Sequence, residues 1–259
     1  MMTNRDPEQW QDQQEASATL TRPTVSVMGL DARGVIDYAW LAQQGYPVIA
    51  VDDNSHKIEQ LLNGESPVQE PGTDCFLRAG ADRSDLLATD KVSIAVLSSE
   101  FTLVSTPGDI SPAAYHELDS FRLTLHTLAL ALRDKASYHL VVVRASLPRG
   151  TIEQVVIPII EQYSGKYFGE AMGLCYMPEK TRKGRVLEDF LNVEKIKLWS
   201  LDRRSAKLAK SIFAQRQAAL SEVSLVEAEK DFIPADFDPT RFVDLKPERR
   251  MPMPEYASA

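Results

Sequence analysis

The chain has 259 residues, 44 % of them hydrophobic and 25 % charged, a balance that excludes a disordered polymer and suits a folded domain with a buried core. A formal net charge of -8 excludes non-specific binding to nucleic acid or to an anionic membrane, which needs clustered Lys and Arg; the one short basic run is residues 180–185. Cys75 and Cys175 have neither metal-ligand spacing nor the density of a disulfide framework, residues 1–20 lack the apolar core of a signal peptide, and no run nears the roughly 18 apolar residues of a membrane span, so no metal, no membrane insertion and a cytoplasmic location are expected.

Residues 1–22 are polar and without apolar periodicity, and read as a flexible leader. From there short β-branched runs alternate with helical patterns: 24–28 as a strand then 34–44 as a helix, 48–51 then 55–62, a helix over 91–99 leading into a strand at 101–105, and a helix over 112–134 leading into a strand at 138–144. Ser111 and Pro112 supply an N-cap and a first-turn proline, and Leu118, Leu125, Leu128 and Leu132 form its apolar stripe. Residues 151–162 read as a helix with a kink or early break at Pro158. Strands at 172–176 and 196–199 follow, then a helix from Arg203 to about Phe213 and a further helical stretch over 218–230. Five prolines among residues 231–259 (234, 239, 247, 252 and 254) read as a tail. The fold class is therefore α/β, a Rossmann-type doubly wound parallel sheet in one main domain over residues 23–215, with a helical extension over 216–230 and disordered-looking ends.

The first strand runs into Gly29, Leu30, Asp31 and Gly34, the spacing of the dinucleotide fingerprint with Asp at its middle position. Asp52, 21 residues past Asp31 at the end of the second strand, is placed to bind a ribose 2′-hydroxyl and favour NAD; Asp53 beside it competes for the role. A carboxylate at position 31 opposes a pyrophosphate, since like charges about 4 Å apart repel by roughly 4 kcal/mol at an effective dielectric near 20. Two readings stand: an NAD site weakened by Asp31, or a turn kept for folding in which Asp31 pairs with Arg33 or caps the helix.

Residues 25–34 (VSVMGLDARG) and 45–72, ending in GESPVQEPG, resemble the opening of the UDP-glucose/GDP-mannose dehydrogenases. There a GLGYVG turn is followed by a strand ending in Asp, a Lys five residues on, and a Gly-x-Ser-Pro-x-x-Glu-Pro-Gly segment. The likeness continues through residues 104–107 (VSTP, where the family has Val-Gly-Thr-Pro), 141–151 (VVVRASLPRGT) and 176–179 (YMPE, similar to Asn-Pro-Glu), and covers roughly residues 24–213. It implies Asp52 and Lys57 at the adenosine ribose, Thr106 and Ser146 along the cofactor, and Glu179 as the catalytic carboxylate at the edge of the substrate pocket. Each has a plainer reading: a strand end, a solvated helix lysine, a loop hydrogen-bonder.

The resemblance also implies a thiohemiacetal-forming cysteine, which neither Cys75 nor Cys175 matches, so no catalytic cysteine is assigned and both read as packing thiols. Where the family places a second carboxylate four residues after Glu179, Lys183 stands, a cation that accepts no proton while charged. The expectation is a divergent, catalytically incomplete member that binds a partner or senses a nucleotide or nucleotide sugar, with exopolysaccharide synthesis as the setting the family suggests and the C-terminal tail as a protein-docking segment. The alternative is an active NAD-dependent oxidoreductase on a nucleotide sugar, with the cysteine domain supplied by another chain.

Overall fold

In a computed structural model, residues 22–81, 87–105, 115–178, 180–216 and 218–229 are described. They build one eight-stranded sheet in the order β3-β2-β1-β4-β5-β6-β7-β8, from β1 (Val25–Met28), β2 (Val48–Val51), β3 (Leu87–Thr89), β4 (Phe101–Val104), β5 (His139–Val143), β6 (Met172–Tyr176), β7 (Lys195–Ser200) and β8 (Ala219–Glu222). The first six are parallel, β7 runs antiparallel to β6, and β8 is parallel to β7. Strands β1, β4, β5 and β6 are buried along their whole length, because helices cover both faces and leave no edge of the pleat to water.

The helices are α1 (Ala32–Gln43), α2 (Ser55–Leu62), α3 (Thr73–Ala81), α4 (Val92–Leu97), α5 (Tyr115–Arg133), α6 (Ile157–Ser164), α7 (Val186–Asn192), α8 (Arg203–Phe213) and α9 (Leu225–Glu229). On one face Val25, Val27, Leu103, Leu140 and Val142 pack against α1, α3, α7 and α8; on the other Met28, Val104, Val141 and Val143 pack against α4, α5, α6 and α9. The expected stripe of α5 is realised at Leu125, Leu128 and Leu132, all buried. Its start, with Ser111 and Pro112, lies outside the described residues, as do most of the leader and the tail.

Three differences from the sequence reading have physical causes. The break expected at Pro158 is a π-helical turn over Ile152–Val156 that hands over to α6 with the proline in its first turn, where a missing N–H costs nothing. The helix expected over 218–230 is β8 followed by the short α9: β7 offers an open edge, and residues 219–222 pair with it in register from Lys195↔Ala219 to Leu198↔Glu222. Helix α7 and strand β3 have no counterpart in the sequence reading, whereas α3 is the helix expected around Cys75; α7 and β3 are short, and α7 carries Phe190, whose ring meets Trp40 of α1 edge-on at 6.3 Å. Such an element is stabilised by the aromatic contact rather than by its own periodicity.

Candidate functional site

Between β1 and β4 the chain reverses its winding, going outward through β2 and β3 and returning on the other side, and this opens a crevice beyond the carboxyl ends of the two strands. The turn from β1 to α1 lines it. Gly29 has φ +96, and a Cβ there would stand 2.7 Å from the Ser105 carbonyl oxygen. A Cβ at Gly34 would collide with the Gly29 carbonyl. Both glycines thus let α1 begin pressed against the end of β1, directing its N-terminal N–H groups into the crevice.

Asp31 is the N-cap of α1. Its Oδ1 accepts from the Gly34 N–H at 2.7 Å and from the Ser105 hydroxyl at 2.8 Å, while Oδ2 is buried and meets no donor among the described residues. Burial raises the Asp31 carboxyl to about 6, against the lowering effect of the Gly34 and Ser105 hydrogen bonds and of nearby Arg33. The helix therefore receives its cap from the chain's own carboxylate.

At the end of β2, Asp52 Oδ2 accepts from the Leu30 N–H at 2.7 Å and lies 3.5 Å from the Lys57 ammonium; Oδ1 accepts from the Asn54 N–H at 3.0 Å. Asn54 in turn caps α2 through the N–H groups of His56 and Lys57. One short loop thus orders the carboxylate, its cation and the helix together, and joins them to the β1 turn through Leu30. Asp53 is exposed and stands apart from these contacts. Ser146, 7 % exposed, lies in the loop after β5. Thr106 and Glu179 lie outside the described residues. Lys183 is exposed in the loop before α7, next to Gly184, whose N–H donates to Glu70 Oε1 at 2.9 Å.

Two features escaped the sequence reading. Ser105 was passed over in favour of its neighbour Thr106, although it stands where the resembling segment carries Gly; that exchange beside Asp31 was the available signal. The second is a fully buried ion pair in which Arg144, just after β5, holds both oxygens of Asp37 on α1, with Nε–Oδ2 3.0 Å and Nη2–Oδ1 2.9 Å. Nothing in the spacing of residues 107 apart announces it. Of the cysteines, Cys175 is the packing thiol expected, buried in β6, where burial pushes its thiol up, the reverse of nucleophilic activation; Cys75 departs from that expectation, being exposed on α3. Among the described residues no group of three His, Cys, Asp or Glu could hold a metal, and no helix is long and apolar enough to cross a membrane.

A parallel sheet in this order, a glycine turn opening a helix at the reversal point and an acidic residue closing β2 define a dinucleotide-binding domain. Residues 23–217 match the UDP-glucose/GDP-mannose dehydrogenase family, NAD binding domain, and the chain belongs to that family. It is 33 % identical over 207 residues to GDP-mannose 6-dehydrogenase of Azotobacter vinelandii, covering 79 % of this chain and 47 % of the relative. It is 30 % identical over 192 residues to a UDP-glucose 6-dehydrogenase of Haloferax volcanii, covering 73 % and 44 %. Among solved structures, the GDP-mannose dehydrogenase of Pseudomonas aeruginosa, a ternary complex, aligns with a TM-score of 0.70 at 29 % identity over 80 % of this chain and 48 % of that one. The chain thus spans about half the length of the relatives it matches.

The cofactor of this domain class is NAD. On the ribose side the residues fit: Asp52 is held in place by Leu30, Asn54 and Lys57, and Oδ1 retains a lone pair for a hydroxyl. At the turn a carboxylate takes the middle position of the glycine fingerprint and caps the Gly34 N–H.

Proposed function

We propose that this chain is a nucleotide-sugar-dehydrogenase-type NAD-binding domain that works as a nucleotide-sensing and partner-binding module rather than as a complete dehydrogenase. The observation that carries the reading is Asp31: its carboxylate sits between the Gly34 N–H and the Ser105 hydroxyl, at the place where an intact turn presents backbone to a pyrophosphate. The exposed Lys183, standing where the resemblance calls for a carboxylate, and the buried Cys175 support it. The names of the relatives, GDP-mannose 6-dehydrogenase and UDP-glucose 6-dehydrogenase, make a nucleotide sugar the second ligand class to try and polysaccharide synthesis the setting.

A thermal-shift series with NAD, NADH, UDP-glucose, UDP-glucuronate and GDP-mannose tests the binding half, since a ligand bound only by the folded state raises its stability. An activity assay tests the other half: purified chain that oxidised UDP-glucose or GDP-mannose with NAD at about 1 per second would overturn the proposal. The pre-arranged Asp52 cluster favours a second reading, an NAD-dependent oxidoreductase completed by a cysteine domain from another polypeptide; calorimetry with no heat from NAD at about millimolar concentration would end it. Capture experiments with and without residues 231–259 test the docking role of the tail, and an unchanged partner set would remove it.

A further inference from the structure

We propose that Asp31 and Ser105 form a built-in anion site that decides what the crevice accepts, so that a dinucleotide binds only when a proton is taken up at Asp31, while a phosphate-free nucleoside is indifferent to that proton. The inference rests on the reading of this turn as the cofactor site and adds to it a condition for binding.

The geometry carries it. Asp31 is the N-cap of a twelve-residue helix, and its Oδ1 is held from two elements at once, by the Gly34 N–H of α1 and the Ser105 hydroxyl at the end of β4. Its Oδ2 is buried with no donor among the described residues, so no described residue compensates charge on the second oxygen by hydrogen bonding. Protonation of this carboxyl removes the charge that stands at the N-terminus of α1, where a phosphate would otherwise meet it. An ionised carboxylate at the same place repels that phosphate.

The charged groups around Asp31 come from every neighbouring element. Arg33 and Asp37 lie on its own helix, Arg144 from the end of β5 is locked onto Asp37, and Asp52 at the end of β2 reaches the turn through the Leu30 N–H. Ser105 contributes from β4 a hydroxyl without charge. Arg33 draws the Asp31 carboxyl down and Asp37 pushes it up, but burial outweighs both and leaves it at about 6, within reach of a moderate change in pH.

The test is calorimetry of the whole chain with NAD and, separately, with adenosine, at about pH 5.5 and about pH 8, in pairs of buffers that differ in ionisation enthalpy. NAD should bind on the order of a hundredfold more tightly at the lower pH, with uptake of about one proton per NAD at the higher one, whereas adenosine should show neither effect. Asp31→Asn keeps an oxygen for the Gly34 N–H and removes the charge, and should bind NAD at both pH values about as tightly as the unmodified chain does in acid. Asp31→Ser, a second neutral cap, should behave alike and guards against a fault of one variant. Equal NAD affinity at both pH values, or an unchanged slope in Asp31→Asn, would overturn the gating while leaving the cofactor site standing. Folded Asp31→Asn and Asp31→Ser that bind no NAD at either pH would overturn the cofactor-site reading itself.

Discussion

Asp31 opposes folding while it caps a helix. Its carboxyl is raised by burial from 3.8 to about 6, so the folded chain holds the proton more tightly than the unfolded chain does. The cost of the charge is absent below about pH 4, grows between about 4 and 6, and is complete above that window. Asp31→Asn retains the hydrogen bonds and should stabilise the protein at neutral pH by about 2 kcal/mol, allowing for water at the turn, with the gain vanishing near pH 4. Denaturant melts at several pH values measure this; a variant less stable at pH 7 would contradict it. Gly34 shows the opposite constraint. Because a Cβ would strike the Gly29 carbonyl, Gly34→Ala should cost more than about 3 kcal/mol or prevent soluble expression.

At the scale of elements, α1 is the one on which the site depends, and two unlike interactions hold it. One is apolar: Trp40 stacks on Phe213 of α8, centroids 5.7 Å apart, and packs edge-on against Phe190 of α7. The other is the buried Asp37–Arg144 pair, which ties the first turns of α1 to the end of β5. Removing one member leaves an uncompensated charge in a dry interior, so Asp37→Leu or Arg144→Met alone should each destabilise by about 3–5 kcal/mol, whereas the double substitution should recover most of that loss. Thermal or denaturant unfolding of the four species supplies the cycle, and additive single effects would refute the pairing as an energetic unit. The edge of the sheet obeys simpler rules. Residues 218–230 have a composition suited to a helix, yet the open edge of β7 offers a ladder of hydrogen bonds that a solvated helix cannot match, and α9 then closes the end of the structure through Glu229, whose carboxylate accepts from the Gly150 N–H at 3.1 Å.

For the whole molecule, one sheet separates two apolar layers and is shared by both, so residues 22–229 should unfold in a single cooperative transition, read as superimposable far-UV and near-UV circular dichroism melts; two separated transitions would contradict it. The pH dependence of that transition has a second contributor. His139 on β5 is buried, with Nε2 2.8 Å from the Thr102 hydroxyl and Nδ1 3.1 Å from the Ser99 carbonyl oxygen, and burial, together with Lys135, holds it down at about 3. Folding therefore excludes a proton that the unfolded chain takes up below 6.5, and stability falls on acidification through that range, opposite in sign to Asp31. The two nearly cancel between about pH 4 and 6, so the steeper acid sensitivity belongs to Asp31→Asn.

The sequence alone determined most of the alternation of strands and helices through β7 and α8, short β3 and α7 excepted, with the place of the glycine turn, Asp52 at the end of β2 and the family, because each is written in local spacing: period 2 against 3.6, or short motifs in a set order. Tertiary structure decided the rest. Residue 31 was legible as a misplaced carboxylate, but whether it paired with Arg33, repelled a ligand or capped α1 depended on Ser105, 74 residues away in the chain and brought to 2.8 Å by the β1–β4 pairing. The Asp37–Arg144 pair and the capture of residues 219–222 by an open strand edge are of the same kind. Their partners are distant in sequence, and a contact that only the closed sheet creates leaves no periodic trace along the chain.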